Sequence, residues 1–390
     1  MVKNQLVFYL LQLEQPVEHH NHSQIISKFQ FDDYKWPNYF FLANYKWVQS
    51  LKYLTLLYIT IMKWINEKLY ISPINTYIDP SKPVENAIIT HGHADHAKPG
   101  HKNVLATKET INIMKIRYGE NCVENFQELP LNRTLKIDNV KITFYPAGHI
   151  LGSVQVLAEY RGEKINFTGD YKTKNDKTCE NFEPVRCHTL VTEATFGLPV
   201  FQHPNEQNEI KKLLRSLQLF PERPHLVGVY ALGKAQRIIG LLRQQKYDKE
   251  IFIHGALEKL CNYYIKENVF LGKFSKTNLK DKKEYQGEII LAPPSAIKNV
   301  WSRKFEDPII CQASGWMSIK QRAKQSLVEL PLIISDHADW NELTDYIKLT
   351  RAENVYVTHG REEAIVHWCK MNKINGLALS LSGREDEEDL

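Results

Sequence analysis

Short apolar segments separated by polar turns run through the first half of the chain. Three of these segments have the length of a strand, and we predict strands at Asn86–Thr90, Val140–Tyr145 and Leu190–Thr192. Two further runs, Ser153–Glu159 and Lys164–Thr168, flank an Arg-Gly turn and predict a hairpin. This region is therefore expected to be rich in strands.

The rhythm changes after Pro204, where apolar strands begin to alternate with amphipathic helices. We predict strands over 225–230, 251–254, 288–291 and 308–312, and helices over 234–245 and 256–268. Such alternation is typical of a small parallel α/β domain. Two more strand-then-helix units follow, at 332–335 with 340–349 and at 354–358 with 362–371. The pattern indicates one α/β domain interrupted by a second.

Residues 1–61 differ from the rest of the chain. They contain 13 of the 42 aromatic residues and none of the 18 glycines, and they show no sustained period of 2 or 3.6. We interpret them as an N-terminal extension or a mis-assigned start, with the functional chain beginning near Met62. The alternative is a small appendage packed on the body.

Composition and cysteine usage narrow the class of protein. The apolar run Leu54–Met62 is far short of the roughly 20 residues that a spanning helix needs, so we expect no membrane partner. The six cysteines form no CxxC pair, which favours reduced thiols in the cytoplasm. Between residues 62 and 383 there are 44 basic and 36 acidic residues, a net charge of +8, and this suits a polyanionic substrate.

The strongest chemical signal is the run His91-Gly92-His93-Ala94-Asp95-His96, which directly follows a predicted strand. Side chains two apart on an extended chain point the same way, so His91 and His93 can bind one ion. Asp95 and His96 follow as the backbone turns, and can bind a second ion beside it. Imidazole and carboxylate are ligands that Zn²⁺ and similar ions prefer, and burying four such groups without a metal is costly. The run therefore predicts a metal site.

Other candidate ligands stand at the ends of other predicted strands. His149 follows the strand that ends at Tyr145, and Asp170 follows the second strand of the hairpin. A carboxylate at such a place can bridge two ions about 3.5–4 Å apart. Glu193, His337 and His359 end further strands.

These motifs resemble those of the metallo-β-lactamase superfamily and, within it, the β-CASP nucleases. By that resemblance Asp79 is an acidic residue that orients a metal-binding loop, and the run 91–96, His149 and Asp170 form the second, third and fourth motifs. The β-CASP motifs A, B and C are then matched by Glu193, His337 and His359.

The resemblance implies an α/β fold, a metallo-β-lactamase αββα sandwich with an inserted β-CASP parallel α/β domain. We therefore expect an N-terminal extension at 1–61, the two parts of the metallo-β-lactamase domain at 62–204 and 326–382, the β-CASP domain at 205–325 and an acidic tail at 383–390.

A di-metal phosphodiesterase is the activity that the resemblance implies, with two divalent ions, zinc by expectation and manganese as the alternative. The first ion would be held by His91, His93, His149 and Asp170, and the second by Asp95, His96, His359 and the bridging Asp170. His337 is the candidate general acid, oriented by Glu193.

Substrate contacts are predicted from segments typical of the inserted domain. Residues 231–236 and 313–317 resemble such segments, which makes Lys234, Ser314 and Gly315 candidates for nucleic-acid binding. The helix near Lys234 follows a glycine-containing loop, a place where phosphates bind well. A lysine run between Lys273 and Lys283 is either an electrostatic patch or an ordinary solvated loop.

Three segments resemble the bacterial ligase-associated DNA exonucleases more closely: Tyr77–Pro80, Ala94–His101 and Thr358–Ala364. That similarity implies a DNA exonuclease of repair, associated in function with an ATP-dependent DNA ligase and a helicase. In eukaryotic β-CASP enzymes, however, a histidine at motif C accompanies RNA cleavage, so His359 favours an RNA-processing endo- or exoribonuclease. The ligase-associated exonucleases that this chain resembles also have a histidine at motif C. We therefore give the closer resemblance more weight than the rule, and we favour DNA over RNA. A non-catalytic scaffold would have a broken ligand set, whereas every ligand position here is filled.

Overall fold

The computed structural model describes residues 64–66, 68–278 and 284–379, which form a mixed α/β structure with several sheets. The predictions for residues 1–61, for the apolar run at 54–62 and for the acidic tail lie outside the described residues, as do Lys280, Lys282 and Lys283. Among the helices that the structure describes, none is both long and apolar enough to cross a bilayer.

The first sheet has five strands in the order β1 to β5. Strand β1 pairs with β2 antiparallel, and β2 to β5 are parallel. The strands are β1 (Tyr70–Ile71), β2 (Thr76–Ile78), β3 (Asn86–Ile88), β4 (Asn103–Ala106) and β5 (Asn125–Glu128). Helix α1 (Lys108–Tyr118) connects β4 to β5 and packs on the sheet.

The second sheet has seven strands and changes from antiparallel to parallel partway across. Its order is β18-β17-β10-β9-β8-β7-β6, with β6 to β9 antiparallel and β9, β10, β17 and β18 parallel. The strands are β6 (Thr134–Ile137), β7 (Val140–Pro146), β8 (Val154–Tyr160), β9 (Glu163–Phe167), β10 (Thr189–Ala194), β17 (Asn354–Gly360) and β18 (Asn375–Ala378). Helices α7 (Trp340–Thr350) and α8 (Glu362–Met371) cover one face through an apolar core.

The third sheet has six parallel strands, and its residues fall in sequence between β10 and β17. The order is β13-β12-β14-β11-β15-β16, and the strands are β11 (His225–Gly228), β12 (Ile251–Ile253), β13 (Phe274–Lys276), β14 (Ile289–Ala292), β15 (Ile309–Ala313) and β16 (Leu330–Leu332). The associated helices are α2 (Glu206–Leu219), α3 (Lys234–Gln244), α4 (Gly255–Lys266), α5 (Pro294–Ile297) and α6 (Lys320–Gln325).

One apolar core joins this third sheet to the region of the first predicted metal motifs. Side chains of α2, α3 and α4 pack on the six-stranded sheet, and the same cluster contains Ile113 of α1 together with Ile150 and Leu151, which directly follow His149. Because interiors are close-packed, this contact holds α3 firmly against the loop that carries His149.

Most predicted elements are present with ends shifted by one to three residues, but two kinds of error occur. The strand predicted at 332–335 is wrong in position: β16 ends at Leu332, the backbone turns back through the hydrogen bond from Ile334 N–H to Leu332 O, and Ile333 N–H donates to Glu209. The prediction lacks helices α1, α2, α5 and α6 and strands β1, β2, β4, β5, β6 and β13. In α1 the apolar–polar alternation of Ile-Asn-Ile is typical of a strand and conceals the helix. The helix begins where the Thr107 side chain accepts a hydrogen bond from Thr110 N–H.

A buried ion pair ties the segment after β9 to the start of α7. The Lys172 ammonium, 1% exposed, donates to Glu342 Oε2 at 2.7 Å and to the His337 carbonyl at 3.0 Å. Glu342 also accepts from Thr173 and completes a capping box with Asp339 at the helix N-terminus. The chain on both sides of His337 is thereby fixed.

Replacing Lys172 with methionine is expected to destabilise the fold strongly, because it leaves a buried carboxylate without its nearest cation. Breaking such a pair costs roughly 3–5 kcal/mol, so the free energy of unfolding in urea at pH 7 should fall by about that amount. Lys102→Met, which removes the exposed partner of Glu85, is the matched control and should cost less than about 1 kcal/mol. Equal losses in the two variants would contradict the assignment.

The difference between Lys172→Met and the wild type should also shrink as the pH falls from 7 to 3. Burial alone would raise the pKa of Glu342, but the ammonium groups of Lys172 and Lys174 lower it to about 2. A carboxylate with a lowered pKa stabilises the fold fully above its ordinary pKa of about 4.3, and loses that effect as the pH falls towards 2.

Candidate metal centre

Three predicted site residues meet because their strands are parallel neighbours. Strands β9, β10 and β17 lie side by side in the seven-stranded sheet, so their carboxyl ends share one edge. Asp170 follows β9, Glu193 ends β10, where the register with β17 shifts, and His359 lies at the end of β17. Neighbouring parallel strands therefore bring together residues that are far apart in sequence.

The five-stranded sheet contributes the His-Gly-His-Ala-Asp-His run to the same place. Strand β3 leads into Thr90, whose carbonyl accepts from Val154 N–H and so joins the two sheets directly before His91. Gly92 is required here, because a Cβ at this position would lie 2.5 Å from Cγ2 of Ile113 in α1. The loop is thus pressed between α1 and the neighbouring sheet.

The predicted ligands form two adjacent groups of side chains. In the first, the ligand atoms of His91, His93, His149 and Asp170 lie within 4.8 Å of one another, and all four residues are buried. In the second, those of Asp95, His96 and His359 do so. Asp170 Oδ2 stands between the groups, 3.4 Å from His91 Nε2 and 3.3 Å from His96 Nε2. This is the arrangement expected of a carboxylate that bridges two ions.

Hydrogen bonds on the outer side of the rings aim His91 and His96 at the centre. Asp79 Oδ2 accepts from His96 Nδ1 at 2.8 Å and from the Thr90 hydroxyl at 2.6 Å, and His91 Nδ1 lies 3.0 Å from that hydroxyl. With Nδ1 protonated in both rings, each Nε2 atom faces inward as a ligand. Asp79 thus lies on the outer side of these rings, where a carboxylate can orient candidate ligands.

His93 and His149 are aimed by backbone carbonyl groups instead. His93 Nε2 lies 3.2 Å from the Leu232 carbonyl, and His149 Nδ1 lies 2.9 Å from the Asp336 carbonyl, so each ring nitrogen donates outward. The inner atoms, His93 Nδ1 and His149 Nε2, are then both unprotonated and face each other at 3.0 Å. Two lone pairs at this distance repel unless a cation lies beside them.

Burial and charge fit a metal at both positions. The Nε2 atoms of His91 and His96 are buried and lie 3.1–3.4 Å from the carboxylate oxygens of Asp170 and Asp95, so imidazole and carboxylate groups converge as the ligands of a metal do. Burial, with the neighbouring His96, lowers the pKa of His91 and keeps it neutral, as a metal ligand must be. Against the effect of burial, the nearby histidines hold the pKa of Asp170 well below its usual range. The groups present can hold two divalent ions.

Beside the ligand groups, and within reach of Asp170, lie His337 and Glu193, which form a hydrogen-bonded pair. His337 Nδ1 is 3.0 Å from Glu193 Oε2 and 4.0 Å from Asp170 Oδ2. Glu193 is itself fixed, because it accepts from Tyr171 N–H at 2.8 Å and from the Thr195 hydroxyl at 2.6 Å. Burial would lower the pKa of His337, but Glu193 and Asp170 raise it well above its usual value. The two carboxylates thus favour the protonated form of His337.

The candidate substrate contacts are placed differently from the prediction. The Lys234 ammonium is fully buried and pairs with Asp336 at 2.7 Å, so the expected contact with an external phosphate is wrong. Ser314 is buried, and its hydroxyl accepts from Trp316 N–H. Gly315 packs against Phe196, whose ring also lies 6.3 Å from that of His337. This segment therefore packs beside His337 through Phe196 and does not extend into solvent.

Several residues that the sequence did not single out complete the site. Thr90, Lys172, Asp336 and the Leu232 carbonyl all hold a predicted ligand or His337 in place. Asp336 had a visible signal, since it directly precedes His337 in the sequence. The others act through contacts that no local pattern shows.

Curated proteins of several organisms are similar to this chain, although no protein-family model matches it. It is 24% identical over 298 residues to a protein of Opitutus terrae named a probable DNA ligase, covering 75% of this chain and 28% of that one. It is 24% identical over 307 residues to endoribonuclease YSH1 of Kluyveromyces lactis, covering 62% and 39%. It is also 24% identical over 350 residues to an RNase J-like protein of Methanocaldococcus jannaschii, covering 72% and 82%.

A crystal structure of a protein of unknown function from Enterococcus faecalis V583 overlaps 70% of this chain and 74% of its own, with a TM-score of 0.48 and 14% identity. The chain spans well under half the length of the Opitutus and Kluyveromyces relatives. By their names, one of these relatives is an endoribonuclease and another is similar to an RNase.

Asp95→Ala is expected to reduce the number of bound zinc ions from two to one. Asp95 belongs to the second ligand group alone, and its Oδ2 atom lies 3.1 Å from His96 Nε2. Metal content per chain, measured by mass spectrometry after dialysis, tests this, with the exposed Glu124→Ala as the matched control. Two ions still bound in Asp95→Ala would contradict the assignment.

Proposed function

We propose that this chain is a metal-dependent nuclease that hydrolyses phosphodiester bonds, acting as a DNA exonuclease in repair. The observation that carries the proposal is the pair of adjacent buried ligand groups around Asp170, with the His337–Glu193 pair beside them. Phosphodiester hydrolysis needs an activated water, neutralisation of charge on the phosphoryl oxygens and a proton for the leaving oxygen. The site has residues for each of these tasks.

Two bound divalent ions, zinc by preference and manganese as the alternative, would supply hydroxide at neutral pH and neutralise phosphoryl charge. His91, His93 and His149 would hold the first ion, and Asp95, His96 and His359 the second, with Asp170 shared. Asp79 and Thr90 keep the rings of His91 and His96 oriented. The outer hydrogen bonds fix which nitrogen of each ring is free to bind.

His337 donates the proton to the leaving oxygen in this proposal. Its Nδ1 is held by Glu193, so Nε2 is the atom that remains to face a substrate. Because Glu193 raises its pKa, His337 carries the proton that the leaving group needs at neutral pH. Lys172 and the capped start of α7 hold the backbone of this histidine in place.

The arrangement of the chain supports the proposed domain organisation. We propose a metallo-β-lactamase αββα sandwich made from residues 62–204 and 333–382, with a β-CASP domain at 205–332. The boundary expected at 325 moves because β16 pairs with β15 in the six-stranded sheet. The five- and seven-stranded sheets with α1, α7 and α8 would form the sandwich, and the six-stranded parallel sheet, which interrupts the seven-stranded one in sequence, would be the insert.

DNA is favoured as substrate for two reasons. The sequence motifs resemble ligase-associated DNA exonucleases, and 75% of this chain is similar to part of a protein named a DNA ligase. A role beside an ATP-dependent ligase and a helicase follows. The alternative is an RNA-processing nuclease, which the names of the YSH1 and RNase J-like relatives and His359 favour. All six cysteines are free thiols, which supports a reducing compartment such as the cytoplasm.

Cleavage of end-labelled strands separates these functions. The full chain, loaded with Zn²⁺ or Mn²⁺, is incubated with single- and double-stranded DNA and RNA of one sequence. Release of mononucleotides from DNA, faster than from RNA, is the expected result. Internal cuts in RNA would support the alternative, and no cleavage of any of these would contradict both.

His337→Ala should abolish cleavage and keep both metal ions. Loss of a positioned general acid typically costs about 10²–10⁴-fold in rate. The turnover rate and the metal content per chain are measured on the same preparation, and Glu193→Gln should lower the rate in the same direction. Full activity of His337→Ala would remove this histidine as the acid.

A further inference from the structure

The loop that leads into α3 reaches the metal centre from the six-stranded sheet. Its Leu232 carbonyl orients His93, and Gly233 follows with a positive φ of 84°. A Cβ on Gly233 would lie 2.3 Å from Ile150 Cγ2 and 3.5 Å from Asp336 Oδ2, so the backbone here approaches the His149 loop more closely than any other residue would allow. The loop is therefore part of the wall around the first ligand group.

Lys234, the next residue, holds Asp336 from within this wall. Its ammonium lies 2.7 Å from Asp336 Oδ1 and 3.3 Å from the Ile334 carbonyl. The side chain of Lys234 is fully buried and that of Asp336 is 4% exposed. Burying an ion pair of this kind carries a desolvation cost. In return, the pair fixes the positions of both side chains.

Asp336 is connected to two histidines of the site, His149 through a hydrogen bond and His337 through the chain. Its backbone carbonyl accepts from His149 Nδ1 at 2.9 Å, and this leaves His149 Nε2 free to face the centre. His337 is the next residue in the chain, and its ring lies 4.6 Å from that of His149. A shift of Asp336 would move both rings.

A second cation of α3 approaches the same loop. The guanidinium of Arg237 is 1% exposed, pairs with Asp176 at 2.9 Å and lies 3.4 Å from the Gly148 carbonyl. Helix α3 thus presents two buried cations to the chain around the first ligand group, and neither is available to solvent.

We propose that Lys234 and Asp336 are a positioning pair through which α3 sets the orientation of His149 and so the affinity of the first metal position. The six-stranded sheet is then part of the metal centre, in addition to any role in holding nucleic acid. This inference rests on the proposed metal centre.

The test compares Lys234→Met, Asp336→Asn and the double variant in the full chain. Lys234→Met removes the ammonium, and Asp336→Asn keeps the shape and the backbone carbonyl but loses the ion pair. The metal-free protein is titrated with Zn²⁺ against a chelator of known affinity, and its melting temperature is measured without metal.

Both single variants should weaken one of the two zinc-binding steps by about tenfold and leave the other unchanged, since partners behind metal ligands contribute 10–100-fold in affinity. The double variant buries no unpaired charge, so its melting temperature should recover towards the wild-type value while the zinc affinity stays low. A purely structural role would restore both together.

Lys276→Met is the matched control. This exposed lysine of β13 pairs with Glu258 of α4, and its loss should leave both zinc steps unchanged. Recovery of zinc affinity in the double variant overturns the proposal. If the double variant does not fold, an unchanged first step in folded Asp336→Asn overturns it. A wild-type chain that binds two zinc ions but cleaves no nucleic acid refutes the proposed function alone, whereas one that binds no zinc refutes both.

Discussion

The carboxylate of Asp170 is the charge around which the rest of the site is arranged. Its Oδ2 atom lies within 4.0 Å of a nitrogen of His91, His96, His149 and His337. A buried anion is costly, and this one is stable because it is surrounded by groups that either become positive or bind positive ions. The turn after β9 holds the Asp170 carboxylate at the common edge of the parallel strands β9, β10 and β17. The histidines of the site then surround this carboxylate.

Around this carboxylate, the ligands depend on what lies behind them. Side chains fix one half of the centre, through Asp79 and Thr90, while backbone carbonyls fix the other half, through Leu232 and Asp336. A carbonyl in a packed loop moves only if its loop moves, so the second half inherits the rigidity of the core between α3 and the His149 loop. All three sheets therefore contribute to one centre.

The sequence predicted those parts of the site that are local. The run from His91 to His96 can be recognised in the sequence because spacing along an extended strand decides which side chains meet. The positions of Asp170 and His359 at strand ends follow from the periodicity of apolar residues. Lys234 was misassigned for the opposite reason: its partner Asp336 is 102 positions away, and a lysine after a glycine loop resembles a phosphate ligand until its burial is known. Helix α2 did carry a signal, since Ile210, Leu213, Leu214 and Leu217 repeat at helical spacing.

The sequence separations between the ligands and the residues that orient them also set the order in which the parts of the centre are synthesised. His93 precedes Leu232 by 139 positions, and His149 precedes Asp336 by 187. At a ribosomal rate of roughly 5–20 residues per second, the early histidines wait on the order of 10–40 s for the carbonyls that orient them. His337, the histidine proposed as the acid, is made after the four candidate ligands of the first group, whereas His359 of the second group is made after it. A nascent chain therefore carries the candidate ligands of the first group before the carbonyls that orient His93 and His149 have been made.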